Sequence, residues 1–273
     1  MSGRSVVGRT AMLLAVDIGN TNIVCGLYEG ATLSATFRFE TSPRRSSDEQ
    51  AALLAQLLEL REIDKSSIMA SIVASVVPPL TDVIARAVED IVGAAPLVVG
   101  GPGLKTGIRI RTDNPREVGA DRIVNSVAAF ERVKGAVVVV DLGTATTFDC
   151  VSEEGDYLGG VIVPGVQVSL DGLLGRAAKL SRIELVEPPR VIGRNTVHAM
   201  QSGIVHGYAS LVDGLIEKIG AELGVPFRTL ATGGLAERIC KRTRLVEEIC
   251  PNLTLDGLRL IYERNQNARP GEP

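Results

Sequence analysis

A short motif occurs twice in this chain, and the duplication restricts the fold more than any other feature. Asp17-Ile18-Gly19-Asn20-Thr21-Asn22 follows the apolar run Met12 to Val16, and Asp141-Leu142-Gly143-Thr144-Ala145-Thr146-Thr147 follows the apolar run Ala136 to Val140. Each copy reads as a buried strand that ends in an acid, turns at a glycine and then presents hydroxyl or amide side chains. A single copy is more simply an ordinary hairpin turn. Two copies with acid, glycine and hydroxyl in the same order point to one supersecondary unit used twice.

The repeat continues past the motif. Second apolar segments follow at Ile23 to Tyr28 and Phe148 to Ser152, turns at Glu29-Gly30 and Glu154-Gly155, and third strands at Thr32 to Phe39 and Tyr157 to Val163. In the first half, Ser47 is the expected N-cap of a helix whose apolar positions run through Leu53, Leu54, Leu57, Leu58 and Leu60. A strand is expected over Ile68 to Val77, stopped by Pro78-Pro79. A helix over 80–92, a short strand over Leu97 to Val99 and a helix over Ala120 to Lys134 complete that half. In the second half, Val166 to Leu180 and Thr196 to Leu223 read as helices, Thr229 to Thr232 as a strand and Leu253 to Asn265 as the terminal helix. The fold class is therefore α/β, with lobes expected at 12–134 and 135–273 after a disordered N-terminal extension over 1–11. A chain of 273 residues accommodates two such lobes.

A strand-end acid beside a glycine turn suits a polyphosphate. Backbone N–H groups approach phosphate oxygens where glycine removes the side chain, and Asn20, Thr21, Asn22, Thr144 and Thr146 offer short donors. The acid faces the same space and can hold Mg²⁺ or its water shell. No P-loop lysine motif occurs. Net charge is −3, aromatic residues are 3% and Trp is absent, so neither bulk charge nor a stacking platform points to nucleic acid. No apolar stretch reaches the length of a membrane span. Cys25, Cys150, Cys240 and Cys250 lack CxxC spacing and fit buried thiols of a reducing cytoplasm. His198 and His206 lie eight apart, not at the spacing of a zinc pair. Thr232-Gly233-Gly234 reads equally as a helix-entry turn or as a close backbone approach to a nucleoside.

Between the copies lies the most chemically loaded segment, from Lys105 to Asn125. Asn114-Pro115 breaks the chain into a loop, and Gly119-Ala120-Asp121-Arg122 opens a helix. Asp121 there can take a proton from a hydroxyl and Arg122 can pair a substrate carboxylate. Taken alone, an acid at a positive helix end beside a solvated Arg explains the pair as well.

In order and spacing, the Asp17 motif, Asp113-Asn114-Pro115 with Gly119-Ala120-Asp121-Arg122, and the Asp141 motif closely resemble type III pantothenate kinase. The resemblance runs from about residue 12 to about residue 265 and includes Pro164-Gly165 and Gly193-Arg194-Asn195-Thr196. It implies the acetate and sugar kinase/Hsp70/actin superfamily: two duplicated actin-like, ribonuclease H-like lobes, each a mixed sheet with flanking helices, and an ATP cleft between them. It also implies a homodimer and the first step of coenzyme A synthesis, with no nucleic acid or membrane partner. By the same resemblance ATP falls on Asp17, Ile18, Gly19, Asn20, Thr21, Asn22, Ile23, Val24 and Thr144, with Asp17 facing Mg²⁺ and phosphate. Pantothenate falls on Gly119, Ala120, Asp121 and Arg122, with Asp121 as base, and on Thr196 supplied by the partner subunit. Asp141 is implied to bind the monovalent cation, K⁺ or NH₄⁺.

One position departs from the family pattern: many members carry an aromatic residue before Asp-Asn-Pro, where this chain has Thr112. Three rivals follow from the duplicated clamp alone: a sugar or short-acid kinase, a phosphohydrolase or chaperone-like ATPase, and a non-catalytic metabolite sensor. Retention of Asp17, Asp121, Arg122 and Asp141 argues against the sensor.

Overall fold

The computed structural model describes residues 11–177 and 179–267. Residues 1–10 of the expected N-terminal extension lie outside the described residues. The chain forms two compact units. The first comprises 11–107, 118–124 and 254–267, and the second comprises 108–117 and 125–253.

The first unit opens with β1 (Met12–Ile18), β2 (Asn22–Glu29) and β3 (Thr32–Glu40), an antiparallel meander. β1 is a near-continuous apolar run buried on both faces, whereas β3 alternates between covered and exposed positions as an edge strand should. Helix α1 (Ser47–Glu59) follows. Its N-cap is Ser46, not Ser47: the Ser46 side chain accepts from the Glu49 N–H, and the Ser46 N–H donates to Glu49 Oε2 at 2.7 Å. A carboxylate three residues past the cap decides between the two serines, because only Ser46 closes this reciprocal box. β4 (Ile68–Ser75) then pairs in parallel with β1. It stops at Ser75, short of the expected Val77, because α2 (Pro78–Val92) already begins at the prolines. Proline costs nothing in the first helical turn, where its missing N–H has no partner in any case. β5 (Leu97–Val98) pairs with β4 to complete a sheet of order β3-β2-β1-β4-β5.

The second unit receives β6 (Arg109–Ile110), and α3 (Ala120–Val133) runs from the first unit into it. β7 (Val137–Leu142), β8 (Ala145–Val151) and β9 (Asp156–Pro164) repeat the antiparallel meander. Helix α4 (Val166–Arg176) ends before the expected Leu180, and α5 (Thr196–Leu223) starts on Asn195, whose side chain accepts from the His198 N–H. β10 (Arg228–Thr232) pairs in parallel with β7; then come α6 (Ala236–Cys240), β11 (Glu248–Ile249) and α7 (Leu253–Asn267). The sheet order is β11-β10-β7-β8-β9-β6. Read from β9 to β11 it reproduces the first sheet strand for strand, with β6 added outside β9. The duplication seen in the motif is thus a duplication of topology.

Each sheet packs its helices over an aliphatic core. Leu14, Val16, Ile23, Leu54, Leu58, Ile84 and Val88 belong to one cluster, and Val138, Val140, Phe148, Val212, Ile216 and Ala231 to the other. The terminal helix α7 belongs to the first unit, tied to β2 by the buried Tyr28, whose hydroxyl donates to Asp256 Oδ1 at 2.7 Å. All four cysteines are buried and outside any disulfide. Among the described residues, no helix is long and apolar enough to cross a membrane.

Candidate active site

In the first unit, Asp17 is the penultimate residue of β1 and pairs with Val24 across the hairpin. The turn beyond it closes through the Gly19 N–H, which donates to Asn22 O at 3.1 Å. A Cβ on Gly19 would stand 2.9 Å from that same oxygen, so the turn needs a bare backbone. Asn20, Thr21 and Asn22 are exposed at its tip. Ile18 and Ile23 are fully buried, so within this stretch they offer a ligand only their backbone.

The segment Gly119–Arg122 arrives at the same end of the sheet. Val76, the first residue past β4, donates its N–H to Ile18 O at 3.1 Å, and its Cγ1 lies 3.5 Å from where a Gly119 Cβ would be. That Cβ would also come within 2.5 Å of Asp121 Oδ1, so a side chain at 119 would displace the Asp121 carboxylate. Asp121 and the strand-end Asp17 are therefore brought to one end of one sheet, the carboxyl ends of β1 and β4, where open α/β sheets bind ligands. Asp121 Oδ1 also accepts the Arg122 N–H at 2.7 Å. Burial pushes the Asp121 pKa above the ordinary carboxylate value, against the opposing pull of that hydrogen bond and of the Arg122 charge. A carboxylate with a raised pKa is a stronger base once ionised.

In the second unit, Asp141 is the fifth residue of β7, level with Thr147 on β8 and Thr232 on β10. Asn125, 1% exposed on α3, donates its amide to Asp141 Oδ2 at 3.0 Å. Gly233 (φ +94°) follows β10, and a Cβ there would lie 2.5 Å from Asp141 Oδ1 and 2.6 Å from the Leu142 carbonyl carbon. Thr232-Gly233-Gly234 thus leads toward α6 and at the same time packs its backbone over Asp141. The motif turn closes with the Gly143 N–H donating to Ala145 O at 3.0 Å, leaving Thr144 exposed. Gly165 backs this turn: a Cβ on it would collide with the carbonyls of Thr144 and Gly143. Tyr208 secures the segment, its hydroxyl lying 2.9 Å from Pro164 O and 3.1 Å from Gly165 O.

Thr146, read from the sequence as a phosphate donor, is fully buried, and its Oγ1 has no hydrogen-bond partner among the described residues. Alternation along β8 explains the difference, since Thr147 rather than Thr146 shares a face with Asp141. Thr147 instead donates to Asp149 Oδ2 at 3.0 Å, and Tyr157 donates to Asp149 Oδ1 at 2.9 Å. Thr196 is the exposed first residue of α5. Thr112 is half-buried beside Gly159, and its Oγ1 likewise lacks a partner among the described residues. Asn125 escaped the sequence reading, although a lone amide inside the apolar run Ile123 to Ala129 was its signal.

Among the described residues, no group of three or more His, Cys, Asp or Glu gathers as a metal cage. Asp17, partly buried at the end of β1 beside the exposed turn, is a single carboxylate of the kind Mg²⁺ takes in phosphate sites, where its other oxygens come from phosphate and water. Asp141, with its Oδ2 held by Asn125, offers a carboxylate oxygen of the kind a monovalent cation takes.

Solved structures share this fold: component A of (R)-2-hydroxyglutaryl-CoA dehydratase from Acidaminococcus fermentans superposes with a TM-score of 0.52 at 14% identity, covering 95% of this chain and all of the other. The family profile described as Type III pantothenate kinase matches residues 13–218. The type III pantothenate kinase of Myxococcus xanthus is 52% identical over 93% of this chain and 99% of its own length. That of Moorella thermoacetica is 50% identical over 93% of this chain and its full length. With half its residues shared over nearly its whole length, and with the Asp17, Asp121 and Asp141 elements in place, the chain belongs to the type III pantothenate kinase family.

Proposed function

We propose that Asp121 is the general base of this kinase, which transfers the γ-phosphoryl group of ATP to the primary hydroxyl of pantothenate and so begins coenzyme A synthesis. The observation that carries the assignment is the burial of the Asp121 carboxyl at the Gly119 entry of α3, which raises its pKa at the end of the sheet that also holds Asp17. Phosphoryl transfer has a loose transition state, so catalysis is mostly alignment and neutralisation of charge on the transferred group. Asp121 aligns the attacking hydroxyl and takes its proton; Gly119, Ala120 and Arg122 hold the substrate, with the Arg122 guanidinium matched to the pantothenate carboxylate.

The turn from Asp17 to Val24 receives the nucleotide phosphates on backbone N–H groups and on Asn20, Thr21 and Asn22, and Thr144 supplies a further hydroxyl. Asp17 would hold Mg²⁺ through phosphate or water, and Asp141 would hold K⁺ or NH₄⁺. Bound there, these cations would supply positive charge for the phosphate oxygens in a protein without a P-loop lysine. The acceptor-dependent chemistry separates this reading from an ATPase. A coupled ADP-release assay on dialysed protein, with and without pantothenate and K⁺, tests it, and ADP release indifferent to pantothenate would exclude it.

The chain works as a homodimer in this reading, with Thr196 contributing to the partner's pantothenate site. Support comes from α5, where Ala199, Gly203, Gly207 and Ser210 are exposed along one line of the helix and allow close approach of another backbone. A Cβ on Gly207 meets nothing within 4 Å, so Gly207→Arg is compatible with the folded subunit. Sedimentation of that variant as a dimer with normal pantothenate affinity would dismiss the arrangement. The reducing cytoplasm suits four cysteines held outside any disulfide.

A further inference from the structure

The first nucleotide turn is held from behind by a residue outside the motif. Thr41, the first residue past β3, donates its hydroxyl to Gly19 O at 2.7 Å and its N–H to Thr21 O at 3.0 Å. No cis peptide bond occurs among the described residues. In a trans peptide unit the C=O and the following N–H point in opposite directions. Drawing the Gly19 carbonyl back therefore aims the Asn20 N–H away from Thr41; Asn22 opens β2 with its carbonyl turned to Gly19, so its N–H faces the hairpin. Asn20 is exposed at the tip of the turn.

The second unit braces its turn from the same position. Gly165 is the first residue past β9 as Thr41 is past β3, and it packs on the carbonyls of Gly143 and Thr144. The two copies use different chemistry, hydrogen bonding in one and bare backbone contact in the other, for the same purpose. A recurrence at equivalent places in a duplicated topology is not an accident of one loop.

We propose that Thr41 is a positioning residue of the nucleotide clamp, fixing the turn from Gly19 to Thr21 so that the Asn20 N–H meets the phosphates of MgATP without rearrangement. Preorganised donors lose less on binding than donors that must first be ordered. Thr41 does not touch the ligand; it acts through the turn. This rests on the assignment of Asp17 to Val24 as the ATP site.

Thr41→Val keeps the shape and the backbone bond while deleting the hydroxyl, and Thr41→Ser restores the hydroxyl. The strength of one such bond sets an upper limit of roughly tenfold on what loosening the turn can cost in affinity. Measured by equilibrium binding and by steady-state kinetics, Thr41→Val should weaken MgATP binding and raise the KM for ATP by up to about tenfold, with the KM for pantothenate within about twofold of wild type. Thr41→Ser should recover most of the loss. Unchanged MgATP affinity in Thr41→Val, equal losses for ATP and pantothenate, or a Ser variant as impaired as Val would each overturn the proposal. Gly19→Ala, whose Cβ would press on Asn22 O, tests the underlying site: retained MgATP affinity there would reject the clamp assignment itself. Loss in Gly19→Ala without loss in Thr41→Val would reject only the role of Thr41.

Discussion

Asn125 and Asp141 are joined across the second unit by one hydrogen bond, the buried amide of α3 donating to the strand-end carboxylate at 3.0 Å. The amide fixes the carboxylate's rotation, and partners behind a metal ligand are commonly worth 10- to 100-fold in cation affinity. In Asn125→Ala the K⁺ concentration for half-maximal activity should rise by about tenfold. The K⁺-induced rise in thermal midpoint should shrink in parallel. A K⁺ response identical to wild type would show that Asp141 does not need this brace.

Asp121→Asn should retain MgATP affinity and lose about 10²-fold or more in kcat, the usual scale for a general base. Near-normal turnover would remove Asp121 from that role. In the wild-type enzyme kcat should fall as pH drops through the raised Asp121 pKa, at a higher pH than an ordinary carboxylate would give.

The same shift has a stability consequence with a definite sign. A carboxyl whose folded pKa is raised favours folding while it is protonated, and that contribution is lost as pH rises through the folded pKa. Asp121→Asn cannot ionise. Denaturant melts at a series of pH values should show the variant losing less stability than wild type as pH rises from the ordinary carboxylate range toward neutrality. Parallel pH profiles would contradict the burial argument.

Gly165→Ala should displace the Gly143–Thr144 turn, because its Cβ would meet two backbone carbonyls that have no rotamer by which to retreat. Overpacking of this kind costs about 1–3 kcal/mol. Chemical denaturation should register the loss, with a rise in KM for ATP if Thr144 serves the nucleotide. A fully stable variant with wild-type KM would show that the turn tolerates the movement.

Tyr28→Phe should cost about 1–2 kcal/mol by removing the donor to Asp256 while leaving the ring packed under Arg259. Because that bond ties α7 to β2, amide exchange in α7 should accelerate more than in α1. Uniform acceleration would mean that the bond contributes to global stability rather than to docking of the last helix.

Much of the fold was legible because its signals are local. Val137 to Val140 is a run that only a doubly buried strand explains, and Thr196 to Leu223 is a helix at the expected bounds, framed by Asn195 and the left-handed Gly224. Local signals also misled where two residues competed for one role. Ser46 and Ser47 are both good caps, and the reciprocal bond with Glu49 chose between them. Thr146 and Thr147 are chemically alike; strand register put one in the core and the other beside Asp141. The two-residue strands β6 and β11 are too short to show any periodicity.

By itself the sequence determined that two copies of a strand–turn–strand unit exist, that each ends its first strand in an acid, and that Gly119 to Arg122 opens a helix. These follow from residue order, because side-chain period and glycine turns are properties of neighbouring residues. Only the tertiary structure decided that α7 belongs to the first unit, that Asp121 lies at the same end of the sheet as Asp17, that Asn125 holds the Asp141 carboxylate, and that Thr41 and Gly165 pack on the turns. Those relationships join residues far apart in the chain through packing and hydrogen bonds, and no local pattern of residue types encodes which distant partner satisfies a buried polar group.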